Sequence, residues 1–97
     1  MPRESVLALL RGALADLESR FGVRELSVFG STARDEAGDA SDVDVLVDFR
    51  GPADFDSFID LKLEMERLLG RRVDLVTRKA LRPQLRAQVE REAVRVA

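Results

Sequence analysis

The sequence predicts an α/β fold of the α+β kind: a small three-stranded mixed sheet with helices packed on it, in the order α-β-α-β-α-β-α. Three observations predict this. Apolar residues at helical spacing alternate with short β-branched segments of period two. Glycine or proline stands at the changeovers, at Gly22, Gly30, Gly51-Pro52, Gly70 and Pro83. The 97 residues suffice for one compact domain, 1–97, with one core and one site.

From Ser5 to Phe21, Val6, Leu10, Ala13, Leu14, Leu17 and Phe21 recur at helical spacing, with Pro2 near the start and Gly22 at the stop. Glu25–Phe29 (ELSVF) alternates Leu26 and Val28 with polar neighbours and meets Gly30, a short strand ending in a tight turn. Ser31–Ala37 suits one or two helical turns.

Asp42–Phe49 (DVDVLVDF) is the second strand. It has Val43, Val45 and Val47 on one face and Asp42, Asp44 and Leu46 on the other, so its first two carboxylates project the same way.

After Gly51-Pro52, residues Phe55, Phe58, Ile59, Leu61, Met65, Leu68 and Leu69 mark a long helix ending at Gly70. Arg72–Thr77 (RVDLVT) is the third strand. The last helix is expected from about Pro83 to Val96, with Leu85, Val89 and Ala93 as its buried stripe.

Composition excludes several chemistries. No cysteine means no disulfide framework, thiolate nucleophile or Cys-ligated metal, and no histidine means no imidazole base. No apolar run approaches the roughly 20 residues that cross a bilayer, so no membrane partner is expected and the location is expected to be cytoplasmic.

The net charge of -2 is unevenly spread: +1 over residues 1–34, -9 over 35–66 and +6 over 67–97. Asp54, Asp56, Asp60, Glu64 and Glu66 read as the solvated face and N-terminal charge of one helix. The basic tail lacks interleaved aromatics, so direct nucleic-acid binding is not expected. Phe49, Phe55 and Phe58 serve either as core or as a partner patch.

Asp42 and Asp44 need another account. Alternate strand residues lie about 6.6 Å apart on one face, so two carboxylates can converge on a divalent cation. Unneutralised, close carboxylates repel by roughly 4 kcal/mol per pair at an effective dielectric near 20, which a cation or protonation must offset.

Ahead of Asp42, across the ten-residue spacer Thr32–Ser41, Gly30 admits an anion to backbone N–H groups and Ser31 adds a hydroxyl. Carboxylates with divalent metal beside a phosphate cradle describe phosphoryl or nucleotidyl transfer. A phosphate-binding G-x-x-x-x-G-K-[ST] loop is absent, and an EF-hand loop would need Gly where Val47 stands.

The stretch Gly30-Ser31-Thr32-Ala33-Arg34 … Ser41-Asp42-Val43-Asp44-Val45-Leu46-Val47 resembles the signature of minimal nucleotidyltransferases (MNT) in the DNA polymerase beta superfamily. The resemblance implies a nucleotidyltransferase fold over nearly the whole chain, with Gly30 and Ser31 at the nucleotide phosphates. It also implies Asp42 and Asp44 as ligands of Mg²⁺, two ions in the family, and Asp74 as the third, base-like ligand.

Arg34 matches a recurrent family arginine, which either contacts phosphate or forms an ion pair with Asp42 or Asp44. Asp74 reads as a site residue, or else as a surface partner of the neighbouring arginines. Asp35 stands where many relatives have glycine and adds charge near the loop.

Relatives of this size resemble antitoxins of HEPN/MNT toxin–antitoxin pairs, which transfer AMP from ATP to a tyrosine of the HEPN toxin. The resemblance thus implies ATP as substrate and a HEPN toxin as partner. The alternative is a non-catalytic module that neutralises its partner by stoichiometric complex formation.

Overall fold

The computed structural model describes residues 1–38 and 41–96; Asp39 and Ala40, within the spacer between Gly30-Ser31 and Asp42, lie outside the described residues, as does Ala97. The elements are α1 (Arg3–Phe21), β1 (Val23–Phe29), α2 (Gly30–Ala33), β2 (Val43–Phe49), α3 (Phe55–Leu69), β3 (Val73–Thr77), a 3-10 turn (Arg78–Ala80), α4 (Pro83–Glu92) and β4 (Val94–Arg95).

Local chemistry sets these boundaries. α1 stops where Gly22 takes a left-handed φ of 69°, and α3 stops the same way at Gly70, φ 64°. α3 starts at Asp54, whose side chain accepts the Ser57 N–H at 2.8 Å. α4 starts with Pro83, whose missing N–H costs nothing in a first turn.

The strands lie in the order β3-β2-β1-β4. β1 runs antiparallel to β2 and β4, while β2 and β3 are parallel and joined through α3.

One face of the sheet carries the main core. Val6, Leu10 and Leu17 of α1 and Leu61, Met65 and Leu69 of α3 pack on Leu26, Val28, Val43, Val45, Val47 and Leu75. The other face is covered by less: Leu46 is buried with Leu81 and Val89, against Phe29 and Val76.

The end of the chain departs from the sequence reading. α4 stops at Glu92 instead of running to Val96, and Val94–Arg95 forms a fourth strand, so the sheet is not three-stranded. Val94 and Val96 alternate as a strand does, and pairing with Ser27 and Val28 satisfies backbone groups on what would otherwise be an open edge of β1. Leu85, expected in the buried stripe, is 45% exposed, while Val89 is buried.

The acidic face of α3 does more than meet solvent. Glu64 accepts from Arg20 of α1 at 2.7 Å and from Arg67 at 2.6 Å, and Glu66 accepts from Lys62 and from the Val73 N–H of β3. These contacts tie the helix to α1 on one side and to the start of β3 on the other.

Candidate active site

β1 ends at Phe29 and the chain turns at once into the single turn of α2. The turn requires a φ of 68° at Gly30, a left-handed value that only glycine adopts without cost. A Cβ at this position would lie 3.0 Å from Cγ of Asp44 and closer still to its Oδ2. Glycine is therefore required twice, by the backbone and by the neighbouring carboxylate.

Register explains the approach. Phe29 pairs with Asp44 across β1 and β2, and Asp44 pairs with Asp74 across the parallel β2 and β3. Gly30, Asp44 and Asp74 thus meet at one end of the sheet. Asp74 is exposed and Asp44 is half-buried.

Asp42 lies just before β2 rather than within it, and its Oδ1 is 3.6 Å from Nε of Arg72. Arg72, one of the two arginines that neighbour Asp74 in the sequence, thus meets Asp42. Ser31 follows Gly30, and its carbonyl accepts the Glu36 N–H at 2.8 Å.

The carboxyl of Asp44 is pushed above its ordinary value, first by burial and then by the negative charges of Asp74 and Asp42; Arg34 partly counteracts this. Concentrated negative charge on hard oxygen donors suits a hard divalent cation such as Mg²⁺. Among the described residues no three acidic side chains are gathered closely enough to share one ion as they stand. The donor set fits the metal in chemistry, with Asp44 and Asp74 paired across β2 and β3 and Asp42 just before β2.

Arg34 pairs with neither Asp42 nor Asp44. Its Nη1 donates to Oε2 of Glu92 at 2.9 Å and its Nε to Oε2 of Glu36 at 3.1 Å, which together hold the guanidinium more firmly protonated. Glu92 also accepts the Gly30 N–H through Oε1 at 3.1 Å. It went unnoticed in the sequence because a helix to Val96 hides the pairing of β4. The Val94-x-Val96 alternation is the sequence signal for that pairing, which brings the end of α4 at Glu92 beside Gly30.

Asp35 takes a φ of 58°, a left-handed value that aspartate tolerates better than most residues. Its Oδ1 accepts the Arg3 N–H at 3.0 Å. The charge that the sequence adds near the loop is therefore spent on the start of α1, where Pro2 offers no side-chain cap.

A groove of about 470 Å³ lies at the other end of β2, lined by Phe49, Phe55, Phe58, Thr77 and Lys79 among others. It is remote from Asp44 and Asp74 along their own strands, so it is not the acidic site. Phe49 and Phe58 also pack on the core, whereas Phe55 is 74% exposed. Among the described residues no helix is long and apolar enough to cross a membrane.

Residues 10–96 match the nucleotidyltransferase domain family. The chain is 45% identical over 93 residues to the protein adenylyltransferase MntA of Thermococcus cleftensis, a match spanning 96% of this chain and 94% of that protein. A solved structure described as a minimal nucleotidyltransferase superposes with a TM-score of 0.82 at 45% identity, covering 97% of this chain and 95% of the other. The structure of a tri-AMPylated Shewanella oneidensis HEPN toxin in complex with MNT antitoxin contains a chain that superposes with a TM-score of 0.68. That match is 19% identical and covers 94% of this chain and 71% of that one, a likeness of fold alone.

Proposed function

The chain belongs to the nucleotidyltransferase family, among its minimal members, and from that premise we propose that it is a Mg²⁺-dependent protein adenylyltransferase. In this reading it transfers AMP from ATP to a HEPN toxin and so acts as that toxin's antitoxin. The observation that carries the reading is the contact of Gly30 with Asp44, which sets a side-chain-free backbone amide beside the acids of β2 and β3.

An acceptor hydroxyl oxygen forms a bond to the α-phosphorus of ATP, the bond from that phosphorus to the bridging oxygen breaks, and pyrophosphate leaves. Gly30 and Ser31 hold phosphate oxygens. Asp42, Asp44 and Asp74 would hold the divalent cation, which would supply positive charge to offset that of the triphosphate and to ease deprotonation of the acceptor. Asp74, exposed on the edge strand β3, is the base-like group that takes up the acceptor's hydroxyl proton.

Two likenesses support this choice of acceptor: the relative at 45% identity is named as a protein adenylyltransferase, and the fold is shared with a chain in a complex that contains an AMPylated HEPN toxin. The test is incubation with α-labelled ATP, Mg²⁺ and a HEPN toxin from the same genome. Label should pass to the toxin, and Asp44→Asn should abolish the transfer. Equal labelling by the variant would overturn the site.

A second reading, stoichiometric neutralisation without transfer, is favoured by one observation: Glu92 already engages the Gly30 amide. If it holds, the folded Asp42→Asn, Asp44→Asn double variant will still protect cells from the toxin.

A further inference from the structure

The β1–β4 pairing has a consequence at the phosphate loop. Val28 pairs with Val94, and this end of the β1–β4 pairing brings the end of α4 at Glu92 beside the start of α2 at Gly30. The contact follows: Oε1 of Glu92 accepts the Gly30 N–H at 3.1 Å, and Oε2 accepts Nη1 of Arg34 at 2.9 Å. Its side chain is only 19% exposed.

A glycine amide and a guanidinium are both donors that bind phosphate oxygens. One carboxylate spans the two, its oxygens standing where two oxygens of a phosphate would stand. A backbone N–H is a single donor, so a phosphate cannot take the Gly30 amide while Glu92 holds it. Glu92 also adds negative charge beside Asp44, whose carboxyl it helps push up, and thereby opposes the approach of a triphosphate.

We infer that Glu92 is an internal competitor for the nucleotide triphosphate, which must displace its carboxylate from Gly30 and Arg34 in order to bind. The inference rests on the reading of Gly30-Ser31 as the phosphate site. Displacement frees the amide and Nη1 of Arg34, whose Nε stays on Glu36, so one residue on the last turn of α4 sets the affinity for the triphosphate. α4 is suited to such a movement because Val89 is its only buried residue.

The test is calorimetric titration of the whole chain with a non-hydrolysable ATP analogue plus Mg²⁺, and separately with tripolyphosphate plus Mg²⁺. Wild type is compared with Glu92→Gln, which keeps the shape and removes the charge, and with Glu92→Ala. Competition predicts that both variants bind both probes about tenfold more tightly, and that kcat at saturating ATP does not rise.

Wild-type binding with unchanged or weaker binding by the variants would overturn the inference and leave Glu92 as a brace for Arg34. A lowered kcat together with a raised KM in Glu92→Gln would say the same. Binding of neither probe by wild type or variants would overturn the nucleotide site and this inference with it.

Discussion

Gly30 and Asp44 occupy one place between them: the missing side chain of the glycine is the space that the carboxylate fills, with Cγ of Asp44 only 3.0 Å from where a Cβ would stand. The glycine also holds a φ of 68°. Loop and acid are therefore parts of one packed unit, and a change to either is felt by the other.

Gly30→Ala should lose on both counts. The left-handed backbone costs an L-residue roughly 1–2 kcal/mol, and the added methyl pushes Asp44 aside, so melting temperature and AMP transfer both fall. Gly70→Ala is the control: its φ is 64° but nothing lies within 4 Å of the added methyl. It should lower the melting temperature and leave transfer intact. Comparable transfer by the two variants would contradict the packing account.

Asp44→Asn should stabilise the fold while abolishing transfer. Burial and the charges of Asp74 and Asp42 raise the Asp44 carboxyl above its unfolded value, so the ionised group costs stability at neutral pH. Asp44 is only half-buried, which limits the gain to about 1 kcal/mol or less, a rise of a few degrees in melting temperature for a domain of this size. Thermal denaturation without divalent metal checks the sign.

Asp35→Ala should destabilise by about 1–2 kcal/mol, through loss of a helix-start acceptor and left-handed strain on alanine. Asp35→Gly loses the Arg3 contact but relieves the strain at φ 58°, so its loss in urea unfolding should be smaller. The reverse order would show that the backbone value does not matter.

Glu64 sets an acid limit. Arg67 and Arg20 hold its carboxyl from an ordinary 4.5 down to about 2. A depressed carboxylate stabilises fully above its unfolded value and loses that contribution as pH falls through the folded one, so the window runs from 4.5 down to about 2. Glu64→Gln should be less stable than wild type at neutral pH, with the gap closing across that window. A gap independent of pH would assign the effect to packing.

Much of this was legible in the sequence, for identifiable reasons. Val43, Val45 and Val47 and the stripe of Leu61, Met65 and Leu69 announce their elements because one face of each must be buried. Gly30 is recognisable because its residue type is dictated by local chemistry, a left-handed turn against a carboxylate.

Glu92 was hidden because its role depends on a two-residue strand, Val94–Arg95, too short for its periodicity to outweigh a helical continuation. Asp35 was misleading because a charge has no direction in a sequence, and only the fold shows it turned to Arg3.

The most direct test of the central claim is titration of the folded chain with a non-hydrolysable ATP analogue, with and without Mg²⁺, against the Asp42→Asn, Asp44→Asn double variant. The account predicts saturable binding that requires Mg²⁺ and disappears in the variant. At a hundred times Kd it should stabilise the wild-type fold by about 2.7 kcal/mol. Absence of metal-dependent nucleotide binding to wild type, or its survival in the double variant, would contradict it.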